Sequence, residues 1–326
     1  MPRALIVGCK GQDGTLLAEF LCRRAYTVDG VVRYGEPPGS AESFHSPQRF
    51  HSIDIEDSGA VARLLEELLP DEIYFLAAYH HSAEGARVSD HELVSRSFAI
   101  NTLALNNFLS CICTSAPATR LFYAASSRVF GDADVAPQDE ATPMKPMCPY
   151  GISKAAGASL CRYYRRERNL FASVGILYNH ESPLRSAAFL SRKIVRAVVD
   201  IKRGVRDRLV IGSLNAKVDW GFAADYVEAM WRILQAERPD DFIVSTGIAH
   251  SVLDFVKTAF RIVELPWERY IDEDAATLDS NRPSALLQGN SAKVERVTGW
   301  RPQISFEEMI ATMIRAEMIR AESCSQ

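Results

Sequence analysis

One segment constrains the fold of this chain more than any other. Leu5-Ile6-Val7-Gly8-Cys9-Lys10-Gly11-Gln12-Asp13-Gly14 sets a short apolar run against glycines spaced G-x-x-G-x-x-G. The apolar run reads as a buried strand, and Leu16, Leu17, Phe20 and Leu21 behind it share a helical face. Between strand and helix, Gly8 permits a tight turn, Gly11 lets the backbone approach a ligand, and Gly14 lets the helix pack closely. The unpaired N–H groups and positive dipole end of such a helix suit a pyrophosphate. Gly8, Gly11, Gln12, Asp13 and Gly14 are therefore candidate cofactor-binding residues.

The same alternation continues downstream. Apolar runs at Ala4–Val7, Thr27–Val32, Glu72–Leu76 and Arg120–Ala125 are separated by segments of helical period, such as Val61, Leu64, Leu65 and Leu68. Strands alternating with helices imply right-handed crossovers and a parallel sheet covered on both faces. The spacing predicts a long helix from near Tyr150 to about Asn169, then strands at Ile176–Leu177 and Phe242–Thr246. Prolines 183, 239, 266, 283 and 302 break up the remainder. The expected architecture is α/β: a Rossmann-type doubly wound parallel sheet with a smaller, mixed C-terminal lobe. The cofactor domain should take residues 1–178 plus 219–246, and the substrate lobe 179–218 plus 247–326.

Composition narrows the partners. Lys+Arg 37 against Asp+Glu 41 leaves a formal net charge of −4 on 326 residues, with no basic excess to neutralise a nucleic-acid backbone. No stretch approaches the length of a transmembrane helix. The N-terminus enters a strand rather than a secretory signal, and seven scattered cysteines fit reduced thiols. The expectation is a cytoplasmic protein without membrane or nucleic-acid partners.

Two further features bear on chemistry. The second run ends Gly30-Val31-Val32-Arg33; an arginine at this strand end suits the 2′-phosphate of NADP, where an acidic residue would favour NAD. Asp54, in Ser52-Ile53-Asp54-Ile55, is placed to accept a hydrogen bond from adenine, with Ile55 beside it. Tyr150-Gly151-Ile152-Ser153-Lys154 is Y-x-x-x-K, which puts both side chains on one helix face. A nearby ammonium favours phenolate, so the tyrosine is expected to exchange a proton with an alcohol or ketone. Ser126-Ser127 follows the fourth run.

Taken together, these motifs resemble the extended short-chain dehydrogenase/reductase family of nucleotide-sugar enzymes, over nearly the whole chain. Three segments resemble its GDP-mannose 4,6-dehydratase branch: Gly175-Ile176-Leu177-Tyr178-Asn179-His180-Glu181-Ser182-Pro183, Ser191-Arg192-Lys193-Ile194, and Ala216-Lys217-Val218-Asp219-Trp220-Gly221 with Asp225-Tyr226-Val227-Glu228. The resemblance implies hydride transfer at sugar C4 with catalytic Ser126, Tyr150 and Lys154. It implies that Leu76, Ala77, Ala78, His180 and Arg185 lie along the cofactor. It also implies that His81, Ser127, Arg128, Asn179, Lys193, Lys217 and Arg282 face a GDP-sugar, with Arg192 near the phosphates. A homodimer through the helix carrying Tyr163-Tyr164-Arg165-Arg166 follows from the same likeness. A tetramer is the alternative, although the Tyr34–Ser52 segment is shorter than its dehydratase counterpart.

The pattern breaks in two places. Dehydratases carry threonine-x-glutamate where this chain, aligned on Gly131, reads Ser126-Ser127-Arg128. A guanidinium keeps its proton at accessible pH and cannot be the base that an elimination needs. Val218 stands where dehydratases carry an arginine. Dehydration would then draw its base from Asp132, Glu181 or Cys148. The other readings are an NADPH-dependent 4-keto-6-deoxyhexose reductase or epimerase, and a non-catalytic nucleotide sensor on the same fold. His80-His81 lacks companions at ligand spacing, as do Cys111 and Cys113, so no metal is expected. Glu307-Glu308 should open a C-terminal amphipathic helix.

Overall fold

The structure, a computed structural model, describes residues 1–35, 47, 49–80, 88–274 and 286–323. The strands are β1 (Arg3–Val7), β2 (Thr27–Arg33), β3 (Arg49–Ile53), β4 (Glu72–Phe75), β5 (Arg120–Ser126), β6 (Ala172–Leu177), β7 (Asn179–Glu181), β8 (Leu209–Ile211), β9 (Lys217–Phe222), β10 (Asp241–Val244), β11 (Ala249–Ser251) and β12 (Ile271–Glu273). The helices are α1 (Gln12–Arg23), α2 (Ser58–Leu68), α3 (Asp90–Phe98), α4 (Ala104–Ser115), α5 (Pro149–Arg168), α6 (Leu190–Lys202), α7 (Ala223–Leu234), α8 (Val252–Ile262), α9 (Ala292–Thr298) and α10 (Phe306–Ser323).

Among the described residues the main sheet is seven-stranded, in the order β10-β6-β5-β4-β1-β2-β3, with parallel pairing throughout. Alternation along β1 shows why these strands read as continuous apolar runs. Leu5 and Val7 join one core with α2, α4 and α5, while Ala4 and Ile6 join the opposite core with α1 and α7. The doubly wound, Rossmann-type expectation therefore holds. The strand order reverses between β1 and β4, and a ligand crevice forms at the carboxyl ends of the strands at such a point.

One strand escapes the apolar pattern. In β3, Arg-Phe-His-Ser-Ile, polar residues alternate because it is the sheet edge, half-covered rather than buried. The long helix starts at Pro149, which suits its first position, and stops at Asn169 in the left-handed conformation (φ 52°). At the other end of the chain, α10 opens with Ser305 and Glu308 bonded to each other's backbone N–H groups.

A second, smaller core belongs to the C-terminal lobe. Here Ile194, Val198, Trp220, Phe255, Phe260, Met309 and Met313 pack together beside the three-stranded sheet β11-β9-β7. Val294 of α9 and Trp300 pack into the core of the main sheet, and Trp300 Nε1 donates to the Asp225 carbonyl at 2.8 Å. Trp220 and its strand β9 belong to the small lobe.

Candidate active site

The glycine loop folds as its spacing predicts. Gly8 has φ +93°, and a Cβ there would lie 2.8 Å from the Ala77 nitrogen, against the segment that follows β4. At Gly14 a Cβ would lie 2.5 Å from the Gly8 carbonyl oxygen. At Gly11 it would meet only that carbonyl, at 3.4 Å, so the backbone is open on its outer side. The result is a backbone cradle at the start of α1, facing Leu76 and Ala77, with Ala78 next along the chain, and it fits a dinucleotide pyrophosphate.

The side chains of Gln12 and Asp13 turn instead toward β7 and the residue after it. Gln12 accepts from Ser182 Oγ (2.8 Å) and donates to the His180 carbonyl (3.1 Å). Asp13 Oδ2 meets His180 Nε2 at 2.9 Å, while His180 Nδ1 lies 2.7 Å from the Tyr178 carbonyl and so donates to it. Burial opposes charge on both partners, yet their mutual attraction wins: the Asp13 carboxyl is held below its ordinary value and the His180 imidazole above it. Both ring nitrogens of His180 are therefore engaged. His180 is a strut between the glycine loop and β7, stacked on Tyr226 at 4.6 Å. Within the loop the Gly8 and Cys9 N–H groups donate to the Val31 carbonyl and the Gly11 N–H to the Gly8 carbonyl, so the N–H groups that face a ligand are those opening α1.

Arg33 is exposed at the end of β2, beside Ile53 of β3. Asp54 and Ile55 follow β3, where Asp54 Oδ1 accepts from the Glu56 N–H at 2.9 Å and shapes the turn. His81 and Arg282 lie outside the described residues.

Ser126 at the end of β5 and Tyr150 and Lys154 on α5 converge over the crevice. Lys154 is buried, with Nζ donating to the Ala124 carbonyl at 2.7 Å. Burial pushes Lys154 down to about 7 and Tyr150 up to about 12. This corrects the expectation that the ammonium sets the tyrosine. Desolvation dominates, and what lowers Tyr150 is a hydrogen bond from Ser126 and the charge of Arg185. Arg185 reaches the site indirectly. Its guanidinium lies 3.5 Å from the Phe189 ring centroid, Phe189 stacks on His80, and His80 meets Tyr150 edge-on at 4.8 Å.

Sequence reading missed Asn101. It sits fully buried in a π-helical turn, Ala99–Leu103, where the wider turn turns its side chain toward the chain end of β4. Asn101 accepts from the Tyr79 N–H (2.8 Å) and donates to the Tyr79 carbonyl and to Ser153 Oγ (3.0 Å). It thus ties the segment after β4 to α5. A lone Asn-Thr on an apolar helix face was the available signal.

Beyond Ser126 opens a cavity of about 480 Å³ lined by Ser127, Arg128, Asn179, Glu181, Ser191, Lys217 and Val218, among others. Lys193 lies on α6 outside this lining. Arg192 is corrected: it is buried and paired with Glu317 of α10, holding α6 to the C-terminal helix rather than meeting a phosphate. Among the described residues the Arg128 guanidinium meets no carboxylate; its side-chain contact is Cys148 Sγ at 3.9 Å. Cys148 caps α5, its sulfur accepting from the Gly151 N–H. Asp132 is exposed and outside the cavity wall. No group of three or more metal-ligating side chains occurs among the described residues.

The chain is similar to known proteins. The sequence model of the family described as GDP-mannose 4,6 dehydratase matches residues 5–313. GDP-mannose 4,6 dehydratase 2 of Arabidopsis thaliana is 37% identical over 97% of this chain and 86% of its own length. GDP-mannose 4,6 dehydratase of Homo sapiens is 34% identical over 97% of this chain and 91% of its own. The structure of RMD from Pseudomonas aeruginosa complexed with NADPH shares the fold. It has a TM-score of 0.81 at 21% identity, covering 98% of this chain and all of that one (100%).

Proposed function

This chain belongs to the GDP-mannose 4,6 dehydratase family, and from that premise we propose that it is an NADP-dependent enzyme that dehydrates a GDP-hexose by way of C4 oxidation. The observation that carries the reading is the convergence of Ser126, Tyr150 and Lys154 between a glycine cradle and a cavity bearing Asn179, Arg128 and Lys217. A bound nicotinamide supplies the acceptor and donor of hydride. Ser126 donates to the C4 oxygen, and Tyr150 Oη, in its phenolate form, which the Ser126 hydrogen bond and the Arg185 charge favour, takes the hydroxyl proton as the ketone forms. Lys154 holds the nicotinamide ribose. Asn179 and Lys217 hold the sugar diphosphate, whose negative charge needs donors and cations in the cleft.

Arg33, exposed at the end of β2, supports NADP, because an arginine at this strand end suits a 2′-phosphate; NAD is the less favoured cofactor. Two copies are proposed to pair through α5, whose Ile152 and Tyr163 are exposed at 42% and 46%. No helix among the described residues is long and apolar enough to cross a membrane.

Arg128 favours a second reading, a reductase or epimerase of a GDP-4-keto-6-deoxyhexose that keeps hydride transfer without elimination. Mass detection of product from GDP-mannose separates the two. Loss of one water by the wild-type protein supports dehydration, whereas NADPH consumption only with a 4-keto sugar supports reduction. Arg128→Glu restores the family carboxylate and should raise water loss at least about tenfold. An unchanged or lower rate would mean that Arg128 itself serves the reaction.

A further inference from the structure

Elimination across C5–C6 needs a group that removes the C5 proton and returns a proton to the departing C6 oxygen. Arg128 cannot do this, so the group must come from elsewhere on the cavity wall. Among the described lining residues Glu181 is the one carboxylate.

Strand parity puts it there. Successive side chains of β7 point to opposite sides, so Asn179 and Glu181 line the cavity while His180 between them turns to the glycine loop. The contacts to Glu181 fall on one oxygen. Oε2 accepts from Ser191 Oγ at 2.6 Å and pairs with Arg185 Nε at 3.2 Å, whereas Oε1 receives no hydrogen bond from any described residue. Ser191 lines the same cavity, and Arg185 is the cation that acts on Tyr150. The carboxylate is thus fixed in orientation by one oxygen and spare at the other.

We propose that Glu181 is the acid/base of the elimination in this chain, an assignment that rests on the dehydratase reading above. With C4 oxidised, the C5–H bond lies next to a carbonyl. Glu181 takes that proton, and the C5–H electron pair becomes the C5–C6 double bond as the C6–O bond breaks. The proton then passes from the Glu181 carboxyl to the leaving oxygen, which departs as water. The hydride removed from C4 returns to C6, and a proton from solvent completes C5. The net change is one GDP-hexose to one GDP-4-keto-6-deoxyhexose and one water.

The test compares wild type with Glu181→Gln, whose amide preserves an acceptor for Ser191 and Arg185. Both are incubated with GDP-mannose and NADP in deuterated water. Wild type should lose water and take deuterium at C5. The variant should lose water at least about 100-fold more slowly while transient cofactor reduction at C4 persists. A variant that dehydrates within about threefold of wild type, or one in which cofactor reduction and water loss fall together, overturns the role of Glu181 alone. A wild-type protein that removes water from no GDP-hexose overturns the dehydratase reading and this role with it. Should Glu181→Gln fail to fold, Glu181→Asp keeps the charge for Arg185 while withdrawing the carboxylate. It is judged by the same ratio of water loss to cofactor reduction.

Discussion

Lys154 is 1% exposed, with a carbonyl rather than a carboxylate as its partner, and this makes it a source of pH-dependent stability. Its value falls to about 7 in the folded protein, against about 10.4 for an unfolded lysine. Between these two the unfolded chain binds the extra proton, so stability is present above the upper value and is lost as pH falls toward the lower one. Urea unfolding of the cofactor-free protein from pH 7 to pH 9 should show wild type gaining stability relative to Lys154→Met. The slope should approach about 1.4 kcal/mol per pH unit in mid-range. A constant difference across that range would show that Lys154 is not desolvated in this way. Tyr150 is shifted in the opposite sense by the same burial, which explains why a Y-x-x-x-K spacing by itself misstates the electrostatics.

At the scale of elements, the glycine loop and β7 form one unit. The loop gives its backbone to the crevice and its Gln12 and Asp13 side chains to Ser182 and His180, so the glycine loop and the segment from β7 to Ser182 are joined by four side chains. Gly14 is what allows α1 to enter that unit. A methyl at this position would sit 2.5 Å from the Gly8 carbonyl, and backbone cannot step aside as a flexible side chain can. Gly14→Ala should therefore cost about 1–3 kcal/mol and displace the loop. NADP affinity, followed by fluorescence titration, is expected to fall about tenfold or more, with a lowered Tm. Unchanged affinity and Tm would show that the loop accommodates a side chain. The roles of Gly8, Gly11 and Gly14 were legible because glycine spacing between a strand and a helix has few structural solutions. The strut of His180 was not, because it joins residues 167 positions apart.

At the scale of the whole molecule, Ile152 and Tyr163 lie about three turns apart on one face of α5, an apolar stripe on a helix otherwise rich in arginine. If two copies pair there, Tyr163→Arg should convert the protein from dimer to monomer in analytical ultracentrifugation while leaving its far-UV circular dichroism unchanged. A wild-type protein that sediments as a monomer would remove the proposal. The sequence by itself determined the doubly wound sheet, the glycine cradle, the helix from Pro149 to Arg168 and the Tyr150–Lys154 pair. Each of these is a local pattern of period or spacing, readable without knowing what the chain packs against. Only the tertiary structure decided that Arg192 is buried against Glu317 and that Trp300 belongs to the core of the main sheet. It also decided that burial overrides the ammonium at Tyr150, and that Glu181 is the carboxylate sharing a cavity with Arg128. Those outcomes depend on which distant segments meet and on how much water they exclude, and neither quantity is written in any local run of residues.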